Sequence, residues 1–314
     1  MASLARSAAP SKPTTSRASP AATRPRLNHG HSRANPSIFC VCRSSSTGSG
    51  VIVATETTRP VVILPGLGNA STDYEPFMDL LAERGFKSFV APVRRWDWLR
   101  NIEGLRRAEY WKGTLQPLPT VEWYMKRIDS AIQEALEGTQ AKKVSLVAHS
   151  AGGWMSRVYL LNYGTENVAQ LLSLGSPHNP PPEGVIDQTR GILGNVTAAA
   201  PGAFHGDVDY VCVNGHYSRG QDITLETLRG WLGSDNKVGD DVDIQDMVVG
   251  LGYKQVCGNA DVWGDGITPE VTGSLEGAKN VVLPGVYHSP LGAAEDRPWY
   301  GSEAILDQWL HHLI

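Results

Sequence analysis

Ser150 stands in the run Leu146-Val147-Ala148-His149-Ser150-Ala151-Gly152-Gly153-Trp154, where an apolar stretch meets small residues and a helix-like stretch follows. A serine hydroxyl is a weak nucleophile until a neighbouring base takes its proton. It also has to be held out where a reacting carbon can reach it. A sharp strand-to-helix turn does this, provided that the residues two before and two after the serine are small. Ala148 and Gly152 occupy those places. The pattern is that of a nucleophile elbow, with Ala in place of the first Gly of G-x-S-x-G. It would present the Ser150 hydroxyl at the carboxyl edge of a sheet and aim a helix N-terminus at developing negative charge.

An elbow serine needs three companions. The first is a pair of backbone donors for an oxyanion. The loop Pro65-Gly66-Leu67-Gly68 follows an early apolar run, and its glycines permit close approach. The N–H groups of Leu67 and Ala151 are the candidate donors, each worth about 2.7–4 kcal/mol of transition-state stabilisation. The second is an imidazole late in the chain. His288, in Leu283-Pro284-Gly285-Val286-Tyr287-His288, leaves a strand-like run into a loop and is the candidate base. His149 lies inside the elbow, His205 and His216 in a long intervening segment, and His311 and His312 near the C-terminus. His178 precedes any candidate acid and is a candidate lining residue. The third companion is a carboxylate between serine and histidine. Asp265, between Gly264 and Gly266, is the first choice and Asp261 the second. Asp240, Asp241 and Asp243 read as a solvated helix start. In such a set His288 takes the Ser150 proton, Asp265 orients the ring, and an acyl-enzyme forms and is hydrolysed. The chemistry calls for no metal and no organic cofactor.

The elements that must hold these residues follow from the apolar pattern. Short apolar runs at Pro60–Leu64, Ser88–Val93, Lys143–Ala148, Val168–Leu174, Val208–Val213 and Asn280–Leu283 read as buried strands. Helical spacing covers Thr72–Gly85, Pro119–Gly138, Gly152–Tyr163 and Ser302–Leu313. Alternating strands and helices build a mostly parallel sheet covered on both faces, in one α/β domain over 59–314. Residues from about 178 to 262 read as an insertion that contains one strand and two added helices, Asp222–Gly233 and Asp241–Leu251.

The net charge of the 314 residues is −4, unlike the basic footprint of a nucleic-acid binder. No run of about 18 apolar residues offers a transmembrane helix. Charge is unevenly placed. Residues 1–55 hold seven Arg and Lys and no acid, leaving 21 basic against 32 acidic residues, or −11, from Glu56 onward. Ser, Thr, Ala and Pro dominate residues 1–50, a composition that cannot bury a core. It reads as a disordered transit peptide of plastid type, with a mitochondrial address as the main rival and an unaddressed tail as the alternative. Of the four cysteines, Cys212 falls in a strand-like run and reads as a buried thiol. A redox pair with Cys257 is the other reading.

The segment from Arg59 to Ile314 resembles the lipase-like branch of the α/β-hydrolase superfamily. Ala-His-Ser-Ala-Gly-Gly is similar to the elbow of small bacterial lipases, Leu174–His178 resembles their Gly-Thr-Pro-His segment, and Asp265–Pro269 their acid turn. Pro65-Gly66 stands where those proteins usually carry His-Gly. The resemblance implies an α/β-hydrolase fold with a helical, lid-like insertion and serine esterase or lipase activity. An acyltransferase using the same three residues, or a ligand receptor on the same fold, are the alternatives. Between Arg94 and Tyr124 lie four of the nine tryptophans, with Arg94 to Lys112 carrying a local +3. This suits a membrane interface and an acyl lipid or other apolar ester, with Trp96 and Trp98 as candidate lining residues. The alternative is that these aromatics are core and the arginines pair with nearby glutamates.

Overall fold

A computed structural model describes residues 59–223 and 244–313. Residues 1–50, read above as a transit peptide, nearly all of the helix expected over Asp222–Gly233, and Asp240, Asp241 and Asp243 lie outside the described residues. In chain order the elements are β1 (Val61–Leu64), α1 (Glu75–Glu83), β2 (Ser88–Val90), α2 (Ala108–Lys112), α3 (Pro117–Thr120), α4 (Glu122–Thr139), β3 (Val144–His149) and α5 (Ala151–Tyr163). They continue with β4 (Val168–Leu174), α6 (Ile192–Ala199), β5 (Asp209–His216), β6 (Ser218–Arg219), α7 (Ile244–Cys257), β7 (Trp263–Gly264), β8 (Lys279–Pro284) and α8 (Glu303–Trp309). A 3₁₀ helix covers Arg95–Arg106.

Six strands form one sheet in the order β2-β1-β3-β4-β5-β8. Every pairing in it is parallel. Side chains alternate across such a sheet, and here both faces are covered. Val62, Leu64, Leu146 and Ala148 pack with Ile128 and Ile132 of α4 and Met155 and Val158 of α5. Val61, Ile63, Val147 and Leu172 pack on the other side with Phe77 and Leu81 of α1 and Trp309 of α8. Each fully buried aliphatic contributes about 1.5–3 kcal/mol relative to exposure. This two-sided burial holds rigid the strand ends that carry the site.

Element limits shift where backbone chemistry intervenes. β2 stops at Val90 rather than Val93, because Pro92 has no N–H to extend a ladder. The long helix starts at Glu122 rather than Pro119. Leu118, held extended (φ −95°, ψ 142°) ahead of Pro119, keeps Pro117–Thr120 as a separate turn. α7 runs from Ile244 to Cys257, past the Leu251 expected as its end. Between residues 178 and 262, α6 comes first, β5 joins the central sheet between β4 and β8, and β6 pairs antiparallel with β7, which follows at Trp263–Gly264.

Candidate active site

The carboxyl end of β3 runs directly into α5, and Ser150 is the hinge between them. Its φ of 52° and ψ of −126° lie far from the relaxed regions for a residue with a side chain. Packing enforces the turn. A Cβ on Gly152 would sit 2.6 Å from the Leu64 carbonyl oxygen, so the helix can approach β1 only through a glycine. A Cβ on Gly66 would sit 2.7 Å from Ser150 Cβ, which places the Pro65–Gly68 loop directly against the serine.

Ser150 Oγ lies 3.0 Å from His288 Nε2, and His288 Nδ1 lies 2.7 Å from Asp265 Oδ2. His288 and Asp265 are buried. His288 stands four residues past β8, and Asp265 follows β7. The backbone binds the two together, the His288 N–H donating to the Asp265 carbonyl at 2.9 Å. Asp265 is saturated with donors. Oδ1 accepts the N–H groups of Ile267 and Thr268 at 3.0 and 2.7 Å. Oδ2 accepts, besides the imidazole, the Tyr300 hydroxyl at 2.7 Å. Tyr300 in turn accepts the Gly215 N–H. Burial first, and the adjacent Asp265 second, push the phenol well above its ordinary range and keep it a donor.

Two more buried tyrosines hold the loop before Ser150. Tyr124 donates to the Pro65 carbonyl at 2.6 Å, and Tyr74 accepts the Gly66 N–H at 3.0 Å. Tyr74 Oη also meets His149 Nδ1 at 2.7 Å, while His149 Nε2 lies 2.8 Å from the His288 carbonyl oxygen. A carbonyl only accepts, so Nε2 carries the proton, Nδ1 accepts, and Tyr74 donates to it. His149 is therefore neutral, in keeping with the burial that holds its pKa well below the usual value. One hydrogen-bonded path thus runs from Gly66 through Tyr74 and His149 to the backbone of His288. Tyr74, Tyr124 and Tyr300 had no motif in the sequence. Only their position near the sheet's carboxyl edge links them to the site.

The Leu67 N–H makes no hydrogen bond among the described residues. The Ala151 N–H opens α5, where first-turn donors lack intrahelical acceptors. Both residues line a cavity of about 490 Å³ that Ser150 and His288 also line. Its walls are mainly apolar and include Leu115, Val121, Trp154, Met155, Ile192 and Leu193.

Other residues singled out in the sequence sit elsewhere. His178 is buried with Nε2 on Ser173 Oγ at 2.9 Å and does not line the cavity. Trp98 is buried against Trp123 and Tyr124, and Trp96 is exposed; neither lines the cavity. Proline-restricted turns and a 3₁₀ helix, rather than one amphipathic helix, set where these tryptophans point. Asp261 pairs with Arg219 at 2.7 Å on the surface. His216 pairs with Glu270, and His205 meets Tyr210. Cys212 is buried and Cys257 half-buried, both as free thiols. Among the described residues no cluster of three or more His, Cys, Asp or Glu is placed to hold a metal. No helix among them is long and apolar enough to cross a membrane.

A family profile described as alpha/beta hydrolase fold matches residues 59–197. With the six-stranded parallel sheet and its elbow, this establishes the α/β-hydrolase fold for the chain. Among solved structures the chain is similar to the mature form of a lipase from Bacillus licheniformis, at 12% identity over 82% of this chain and 92% of that chain, TM-score 0.47. It is also similar to an esterase from Exiguobacterium antarcticum, at 16% identity over 50% of this chain and 73% of that chain, TM-score 0.28. A pyrethroid hydrolase from Sphingobium faniae JZ-2 is 19% identical over 40% of this chain and 42% of that chain, TM-score 0.27. This chain thus spans less than half the length of that hydrolase. No protein of curated function matches.

Proposed function

We propose that this chain is a serine hydrolase that cleaves carboxylic esters through an acyl-enzyme on Ser150. The observation that carries this reading is the path from Ser150 Oγ to His288 Nε2 at 3.0 Å and from His288 Nδ1 to Asp265 at 2.7 Å, set on a strained elbow. His288 Nε2 accepts the serine proton as Oγ attacks the ester carbonyl carbon. Asp265 keeps the proton on Nδ1 and stabilises the imidazolium. The tetrahedral oxyanion receives the N–H groups of Leu67 and Ala151. Its collapse expels the alcohol, which takes the proton held on Nε2. Water then repeats the sequence, releasing the acid and restoring Ser150.

The mainly apolar cavity supports an acyl lipid or other apolar ester as substrate. Asp187–Leu193 and Gln255–Val256 supply part of its wall from either side of β5, and we read these segments as a cap over the acyl group. Fluorophosphonate labelling of wild type and Ser150→Ala tests the reading. Wild type should form a covalent adduct and the folded variant none. A wild-type protein that stays unlabelled, or labelling that survives the substitution, would remove Ser150 from the mechanism.

A further inference from the structure

The 3₁₀ helix Arg95–Arg106 is twelve residues long, whereas such helices seldom exceed three or four. At three residues per turn, side chains three apart eclipse one another, so the helix carries three distinct stripes. Trp98 and Gly104 are buried and Asn101 half-buried on the inner one. Asp97, Arg100, Glu103 and Arg106 form a charged stripe. The third holds Trp96, Leu99, Ile102 and Leu105, exposed by 76, 61, 53 and 38%. Trp111, just beyond the helix, is exposed by 69%. Exposed apolar residues are ordinary when scattered singly; a continuous row of four marks a contact surface.

Charge says what the contact is. Arg94 to Lys112 holds six cations and three anions in a chain that is otherwise acidic from Glu56 onward. Arg95 pairs with Asp73 and Arg100 with Asp97, whereas Arg94, Arg106, Arg107 and Lys112 have no ion pair among the described residues. Protein–protein interfaces also take Arg and aromatic residues, so what decides here is the concentration of positive charge without ion pairs. An apolar row bordered by free cations and tryptophans matches the boundary between anionic headgroups and acyl chains. The helix is also anchored beside the candidate site. Trp98 Nε1–H donates to the Asn69 carbonyl at 2.8 Å, Arg95 donates to the Gly68 carbonyl at 3.2 Å, and Asn101 and Tyr110 line the cavity.

We propose that this stripe and its flanking cations seat the protein on an anionic lipid surface, with Trp96 and Trp111 entering the headgroup boundary next to the cavity. Binding needs no turnover, so the test uses full-length Ser150→Ala protein and stands or falls apart from the hydrolase reading. The protein is sedimented with vesicles of phosphatidylcholine alone and with vesicles in which part of it is replaced by phosphatidylglycerol. It should bind the anionic vesicles, weakly the neutral ones, and lose binding as salt rises. Trp96→Ala with Trp111→Ala, and separately Arg106→Glu with Arg107→Glu, should each cut binding by roughly tenfold or more. With Ser150 intact, both double variants should keep the wild-type melting temperature and hydrolyse a short soluble ester as wild type does. Failure to bind anionic vesicles overturns the proposal. So does undiminished binding by the variants, because residues 1–55 keep their seven cations in every protein compared. A wild-type dimer that the tryptophan substitutions disperse, without vesicle binding, assigns the stripe to a chain–chain contact instead.

Discussion

At the scale of single residues, Asp265 is the most constrained group in the site. Its two oxygens accept from Ile267 N, Thr268 N, His288 Nδ1 and Tyr300 Oη, an arrangement only a carboxylate satisfies on all sides. In Asp265→Asn the amide nitrogen must face either the two backbone N–H groups or the imidazole and phenol donors. The imidazole is then driven to the wrong tautomer. We expect kcat on a soluble ester to fall by about 10⁴ with KM little changed. Tyr300→Phe keeps the carboxylate and removes one hydrogen bond to it, worth about 1.5 kcal/mol, so kcat should fall roughly tenfold. A Tyr300→Phe enzyme with wild-type kcat would show that the phenol does not position the acid. Asp265 was readable beforehand because glycines flank it, whereas Tyr300 carries no local signal and enters only through its packing beneath Gly215.

At the scale of elements, the elbow depends on how closely α5 passes β1. Gly152 and Gly194 are both helical glycines, but their surroundings differ. A Cβ at Gly152 meets the Leu64 carbonyl oxygen at 2.6 Å, whereas one at Gly194 meets nothing within 4 Å. Gly152→Ala should therefore destabilise by about 1–3 kcal/mol, since backbone must move, and should lower activity by displacing Ser150. Gly194→Ala should instead stabilise by about 0.5–1 kcal/mol through reduced unfolded-state entropy. Urea unfolding of the two variants measures both, and equal effects would show that helix propensity outweighs the contact. The strands were legible as apolar runs because each is buried on both faces. The segment from Arg94 to Thr120 was not, because a 3₁₀ helix repeats every three residues and Pro117 and Pro119 break the chain into short turns. That is why its tryptophans divide, Trp98 and Trp123 facing inward and Trp96 and Trp111 facing out.

At the scale of the whole molecule, two histidines are sealed inside in the neutral form. Burial, reinforced by the Arg157 charge, lowers the His178 pKa to about 3, and burial holds His149 well below its usual value. Arg157 is itself buried and ties α5 to the chain beyond β4 and α6 by donating to the carbonyls of His178 and Ala200 at 2.7 and 2.8 Å. Since both histidines titrate lower in the folded state, the unfolded chain binds more protons below its own pKa of about 6.5. The stability they contribute is complete above that pH and is lost as pH falls toward about 3. The melting temperature should already decline between pH about 6.5 and 5, where exposed carboxylates still hold their charge. A flat profile across that window would mean that these histidines can be protonated without cost.

The sequence by itself determined the α/β-hydrolase fold and the order of the sheet-forming segments. Apolar periodicity is a local property, and a nucleophile turn requires small residues at fixed spacing around Ser150. It also singled out Asp265 and His288, which the structure places within hydrogen-bonding distance of each other and, through His288, of Ser150. Only the tertiary structure decided which side chains support them. Tyr74, Tyr124, His149 and Tyr300 act across separations of up to 139 residues, and no spacing rule connects such partners. Which tryptophans face the core and which face out was likewise decided by packing. The direction of a side chain depends on the turn that carries it and on the neighbours it meets, and both exist only once the chain has folded.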